Sequence, residues 1–286
     1  MSDNPLDSEN IDISWSNIIP STIRLPVLAF QNRKLIHEWY TKLIHYLGKG
    51  NTNIVITGRM AVGKSLLHDR MRKATEDLEY EIPETSRNIE SSVLTVGGWG
   101  TVVRVIPGQG IQERDLGLHE AFSKHDNLDG VIYVVDWGYT QPRDEITSNY
   151  LLESGYDSID RLREFNLKKE LEDFSYICQR IKESHSRCKH PRWILIAVNK
   201  SDLFINDLDE AKKYYHPALS SPFTEILNRL LFNIGTSNIS CDTVPVSSWD
   251  VDFSWNGQTI KSNIGGTNNS RALIKNFMET VAKISK

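Results

Sequence analysis

Two short runs in this chain have the residue types to hold a phosphorylated ligand by both of its ends. The first is Gly58-Arg59-Met60-Ala61-Val62-Gly63-Lys64-Ser65, which fits G-x-x-x-x-G-K-[ST]. Glycines let the backbone wrap an anion, so that N–H groups and a helix N-terminus face it. Lys64 supplies a cation for β- and γ-phosphates, and Ser65 an oxygen ligand for Mg²⁺. The plain alternative is a glycine-rich strand-to-helix turn. Context favours the phosphate loop, because the run follows the apolar NIVIT (Asn53–Thr57) and opens a helix reaching about Thr75.

The second run is Asn199-Lys200-Ser201-Asp202, directly after the apolar WILIAV. An aspartate here can accept both N–H groups of a guanine edge, a pair that adenine does not offer. Asn199 can tie this loop to the phosphate loop, and the stem of Lys200 can cover a base face. Asn and Asp also cap helices, which is the competing explanation. Ser247-Ser248, where TVPVS ends, either holds a base through backbone N–H groups or is an ordinary serine turn.

The elements that must position these loops are readable as alternating strands and helices. Strands are expected at Asn53–Thr57, Ser91–Val96, Thr101–Ile106, Gly130–Asp136, Trp193–Asn199 and Thr243–Ser247, with the turn Gly97–Gly100 joining the second and third. The near-continuous apolar runs suit parallel strands covered on both faces. Helices are expected at Gln31–Leu47, Ile159–Ser184, Phe223–Phe232 and Arg271–Ile284. The pattern predicts an α/β fold, a doubly wound and mostly parallel sheet with one antiparallel hairpin strand. A tail and helical extension (1–50) precede a nucleotide-binding domain (51–286), and a β-hairpin around Asn256-Gly257 is added at 252–264.

Composition narrows the class. Apolar residues make up 39%, enough for a core. A net charge of −4 gives no basic field and argues against nucleic acid as a partner. The longest apolar runs are too short to span a bilayer, and the acidic, polar start is unlike a signal peptide. Three scattered cysteines, with no CxxC pair, suit reduced thiols and a cytoplasmic location.

Together these residues resemble the small GTPases of the Ras and Arf type within the P-loop GTPase superfamily, from about Asn53 to Ser248 and with insertions. Pro107-Gly108-Gln109 looks like the end of the D-x-x-G-Q switch II signature, which implies that Gln109 orients the attacking water and that Gly108 is a nucleotide-binding residue. Thr85 stands at an Arf-like distance before the hairpin and is the candidate second Mg²⁺ ligand. Ser86 is its nearest rival, and a plain loop threonine the alternative. The resemblance implies binding of GTP and GDP with Mg²⁺, slow hydrolysis, and a protein partner that responds to the nucleotide state.

The chain departs from the pattern at several places. Val105 occupies the switch II aspartate position, and valine cannot steady a metal-bound water. Asp136 could hold such a water instead. Met60 replaces the glycine of Ras-type loops, where it would crowd an arginine supplied by an activator. The insertion 138–158 contains Arg143, either an arginine finger in cis or a solvated residue paired with Asp144 or Glu145. Val105 also leaves open a nucleotide-loaded interaction module that hydrolyses little. Phe253 and Trp255 mark a protein contact if exposed and are core if buried.

Overall fold

The structure is a computed structural model, and it describes residues 53–79, 103–105, 128–185, 191–264 and 267–285. The expected helix Gln31–Leu47, the strand Ser91–Val96 with its turn, and Thr85, Ser86, Gly108 and Gln109 lie outside the described residues.

Five parallel strands form the central sheet in the order β2-β1-β3-β4-β5. They are β1 (Asn53–Gly58), β2 (Val103–Val105), β3 (Leu128–Val135), β4 (Trp193–Val198) and β5 (Ser240–Pro245). β3 and β4 are buried almost throughout, as expected of strands covered on both faces. The antiparallel strand expected in this sheet falls on residues outside those described.

Alternate strand residues feed two cores. Val55, Val131, Tyr133, Val135, Ile194, Ile196 and Val198 face one layer. It contains α3 (Ile159–His185), α4 (Leu208–Tyr215) and α5 (Pro222–Ile234). There Phe174 stacks on Phe223 with ring centroids 4.2 Å apart. Ile54, Ile56, Ile132, Val134, Leu195 and Ala197 face the other layer, made by α1 (Lys64–Glu79) and α6 (Thr267–Ile284) through Leu67, Met71, Phe277 and Met278. Gly130 belongs to this packing: a Cβ there would lie 1.9 Å from the Trp193 indole, so only glycine lets that ring cross the neighbouring strand.

The insertion after β3 carries a short helix, α2 (Glu145–Glu153), capped by Asp144, which accepts from the Thr147 N–H at 2.7 Å. The segment after β4 continues as a 3-10 helix (Ser201–Asp207) leading into α4. β6 (Phe253–Trp255) and β7 (Gln258–Ile260) form the expected antiparallel hairpin. Phe253 and Trp255 are buried, so they are core rather than contact surface. None of the helices searched among the described residues is long and apolar enough to cross a membrane.

Candidate functional site

Three loops meet at the carboxyl ends of β1, β4 and β5, where ligands bind in open α/β sheets. The Gly58–Ser65 loop joins β1 to α1, as the sequence predicts. Its turn demands unusual backbone: Ala61 has φ 65° and Gly63 φ 94°. At Gly63 a Cβ would lie 2.3 Å from Asn199 Nδ2, so glycine allows the second loop to press against the first. Lys64 is buried, and its Nζ donates to the carbonyls of Gly58 (2.9 Å) and Arg59 (2.6 Å). Ser65, next along α1, is exposed.

Asn199 joins all three loops. Its Nδ2 donates to the Val62 carbonyl at 2.7 Å and to the Ser248 hydroxyl at 2.9 Å, and its Oδ1 accepts the Ser248 backbone N–H at 3.0 Å. The last contact engages the Ser248 N–H with Asn199. Arg70 on α1 donates to the Ser248 carbonyl at 3.0 Å and fixes the loop from the other side.

Asp202 is fully buried. Its Oδ1 accepts the Ser247 hydroxyl at 2.8 Å, and its Oδ2 is buried with no hydrogen-bond partner among the described residues. Burial raises its pKa above the usual carboxylate value, a shift the Ser247 hydroxyl opposes. An unpartnered buried acceptor is costly and signals a donor still to come.

Lys200 adopts the left-handed region at φ 58°. Its Nζ meets the Asp136 carboxylate at 2.7 Å and the Tyr139 carbonyl at 2.5 Å, which fixes the direction of its stem. Asp136 also accepts the Thr140 hydroxyl at 2.8 Å. Asp136 therefore ties the base loop to the insertion. Arg143 is exposed ahead of α2, and Asp144 serves as helix cap rather than as its partner. Met60 is half-buried. Val105 ends β2 at the register position of Ile56.

Sequence reasoning missed the layer beneath the phosphate loop. Arg59 donates to the Asn166 carbonyl on α3 at 2.9 Å, and Asn166 Nδ2 donates to the carbonyls of Gly138 and Thr140. Arg163 lies over the rings of Trp137 and Tyr139, at 4.3 and 4.5 Å. One turn along α3, Glu170 is buried and accepts the Tyr215 hydroxyl at 2.7 Å. Burial first, and the nearby Asp136 charge next among the raising causes, push its pKa up to about 8, while the Tyr215 bond and Arg59 act the other way. A signal existed: Asn166 and Glu170 stand on the same stripe as Leu162, Phe174 and Ile177.

Glu170 carries a pH prediction. Its folded pKa exceeds the unfolded value near 4.5, so its contribution to stability is fully present below about pH 4.5 and is lost as pH rises through about 8. Glu170→Gln keeps an acceptor for Tyr215 and cannot ionise. Urea unfolding at pH 6 and pH 8.5 should show the variant losing less stability than the parent over that interval. Parallel losses would show that Glu170 does not titrate in this window.

Comparison with known proteins adds a family. The family model of the 50S ribosome-binding GTPases matches residues 53–172, a little under half of the chain. A comparison with curated proteins gave no match. Among solved structures, the chain matches an ADP ribosylation factor-like GTP binding protein, the small COPII coat GTPase of Encephalitozoon cuniculi, in complex with GDP. The identity is 12%, with 90% of this chain and 94% of that chain covered, at a TM-score of 0.26. That score is too low to bear on the fold, which rests on the strand order itself. The phosphate loop between β1 and α1, the parallel sheet and the family match over residues 53–172 together support a small P-loop GTPase.

Proposed function

We propose that the chain is a guanine-nucleotide switch that holds GTP or GDP with Mg²⁺, hydrolyses GTP slowly, and signals its nucleotide state to a protein partner. The observation that carries this reading is the Asn199 bridge from Val62 to Ser248, with the buried, unpartnered acceptor of Asp202 beside it. It couples an anion loop to a reader of paired N–H donors, which is the demand of a guanosine phosphate.

In this reading the backbone N–H groups of Arg59, Met60, Ala61, Val62 and Gly63 face the phosphates. Lys64 releases the Gly58 and Arg59 carbonyls for the β- and γ-oxygens. Ser65, exposed at the start of α1, fits Mg²⁺, which takes one or two protein oxygens along with phosphates and water. The bound ion would neutralise charge on the transferred phosphoryl group. The γ-phosphate side would fall to Thr85, Gly108 and Gln109, which lie outside the described residues. Ser247 orients Asp202 on the base side. Residues 1–50 form an extension to the nucleotide-binding domain at 51–286, and the scattered thiols suit a cytoplasmic setting.

A second reading, a nucleotide-loaded interaction module with little turnover, is favoured by Val105 at the end of β2. One experiment addresses both. With Mg²⁺ saturating, GTP and GDP should displace a fluorescent guanine nucleotide while ATP fails, and single-turnover hydrolysis by the isolated chain should run at or below about 10⁻⁴ per second. Equal displacement by ATP would sink the guanine reading. Rapid turnover would remove Val105 as a defect, and no turnover at all would favour the interaction module.

A further inference from the structure

A carboxylate that reads a base has to be reached by the base, and here Asp202 is closed off. The residue is fully buried and its unpartnered Oδ2 is inaccessible. Part of the cover comes from the added hairpin. Beyond β7 the chain returns across the base loop, and the Asn263 N–H donates to the Asp202 carbonyl at 3.0 Å. Ile264, the next residue on, is buried.

This returning segment is latched at its start. Asp252 accepts the Ser262 N–H at 3.0 Å and pairs with Lys261 Nζ at 2.6 Å. The hairpin is in turn clamped to the insertion: Trp255 Nε1 donates to the Tyr156 carbonyl at 2.7 Å, Asn256 to the Asp157 carbonyl at 2.8 Å, and the Ile159 N–H to Gln258 Oε1 at 2.8 Å. Against the 3-10 helix the same segment leaves an open cleft of about 270 Å³, bounded by Leu203, Phe204, Asp207, Ile260, Lys261 and Asn263. The segment is thus anchored at its two ends by Ile260 and Ile264 in the core and by these polar contacts, while a cleft separates its middle from the 3-10 helix. Asp252 and Lys261 are exposed, and exposed pairs hold weakly. Between those anchors Lys261, Ser262 and Asn263 bury no apolar side chain, and a stretch held by solvent-facing bonds opens locally at low cost.

We propose that Lys261–Asn263 is a lid over the base-reading carboxylate, through whose opening nucleotide enters and leaves, and that the hairpin clamped on the insertion sets the rate. This rests on the guanine reading of Asp202. A protein that pulls on the hairpin or the insertion would thereby change nucleotide exchange without touching the phosphates.

The test is stopped-flow binding and release of a fluorescent GDP on the full chain, parent against Asp252→Ala and Lys261→Ala. Asp252→Ala removes both latches, and association and release should each quicken by about tenfold, the order expected for losing one charge-assisted bond. Lys261→Ala loses only the ion pair and should show a smaller gain in both. The dissociation constant should stay within about threefold, because neither side chain meets the nucleotide in this reading. Should Asp252→Ala melt early, Lys261→Ala carries the test alone. Unchanged rates with guanine preference intact overturn the lid. A change in release alone, with weakened affinity, overturns it too and makes the segment a fixed wall of the base site. A parent that binds ADP as well as GDP overturns the reading of Asp202 instead.

Discussion

Asp202→Asn should turn the site from guanine towards xanthine, with GTP affinity falling by about a hundredfold or more. Ser247 Oγ lies 2.8 Å from Asp202 Oδ1 and 3.1 Å from Asp250 Oδ1, and the new amide has two orientations: its NH₂ can donate to Ser247 while Ser247 donates to Asp250, or its oxygen can keep the Ser247 proton. The second orientation is the one that exchanges base preference. There the NH₂ group takes the position of Oδ2, the acceptor with no partner. A donor now faces the base edge where guanine also offers donors, while xanthine presents a carbonyl at that carbon. Burial already holds the Asp202 pKa above its usual value, so a neutral side chain removes a penalty in the unliganded protein. Its melting temperature without nucleotide should therefore not fall. Competition of xanthosine and guanosine triphosphates against a fluorescent nucleotide measures the exchange. If xanthosine triphosphate binds the variant no better than the parent, Asp202 does not read the base. The same result with a collapsed melting temperature would assign Asp202 to the fold.

What the sequence disclosed and what it hid divide along a physical line. Features fixed by local pattern were readable. The apolar runs of β1, β3 and β4 demand cover on both faces, and they form three adjacent parallel strands. Asn256-Gly257 offers two residues that tolerate positive φ, and both take it, at 45° and 77°. The phosphate loop and base loop were visible because backbone chemistry there needs particular residue types in a fixed order. Features made by chain reversal were hidden. Arg59 reaches Asn166 over 107 positions, and Lys200 reaches Asp136 over 64. No local pattern announces either pair. The helix α4 was missed for a different reason. Its buried Leu208, Ala211 and Tyr215 have helical spacing, but they follow Asn206-Asp207, which breaks the period. The first residues of the insertion pack inward, with Tyr139 stacked on Phe204 at 5.6 Å and edge-on to Phe253 at 5.4 Å. That packing joins the insertion, the base loop and the hairpin, which sequence spacing alone leaves as three separate features.

Lys64→Ala should weaken GTP binding by about a hundredfold or more while leaving the fold in place. The lysine is buried at the mouth of the loop, its Nζ held by the carbonyls of Gly58 and Arg59 at 2.9 and 2.6 Å. It takes no part in either apolar core. Its departure frees two backbone acceptors next to the loop, which costs at most about 1–3 kcal/mol of stability if water cannot reach them. The loss of affinity is larger, since a charge-assisted contact to two phosphates disappears from a partly enclosed site. Part of the parent's gain is offset in advance, because the ammonium must give up the loop carbonyls before it can serve the phosphates. The diphosphate should suffer less than the triphosphate, since the γ-phosphate adds charge that only this ammonium and Mg²⁺ would meet in the loop. Titration of the variant with fluorescent GTP and GDP, beside a thermal melt without nucleotide, separates these effects. An unchanged GTP dissociation constant would show that the Gly58–Ser65 loop does not grip phosphate. A melt that drops by tens of degrees would show that the two carbonyl contacts hold the loop's fold rather than wait for a ligand.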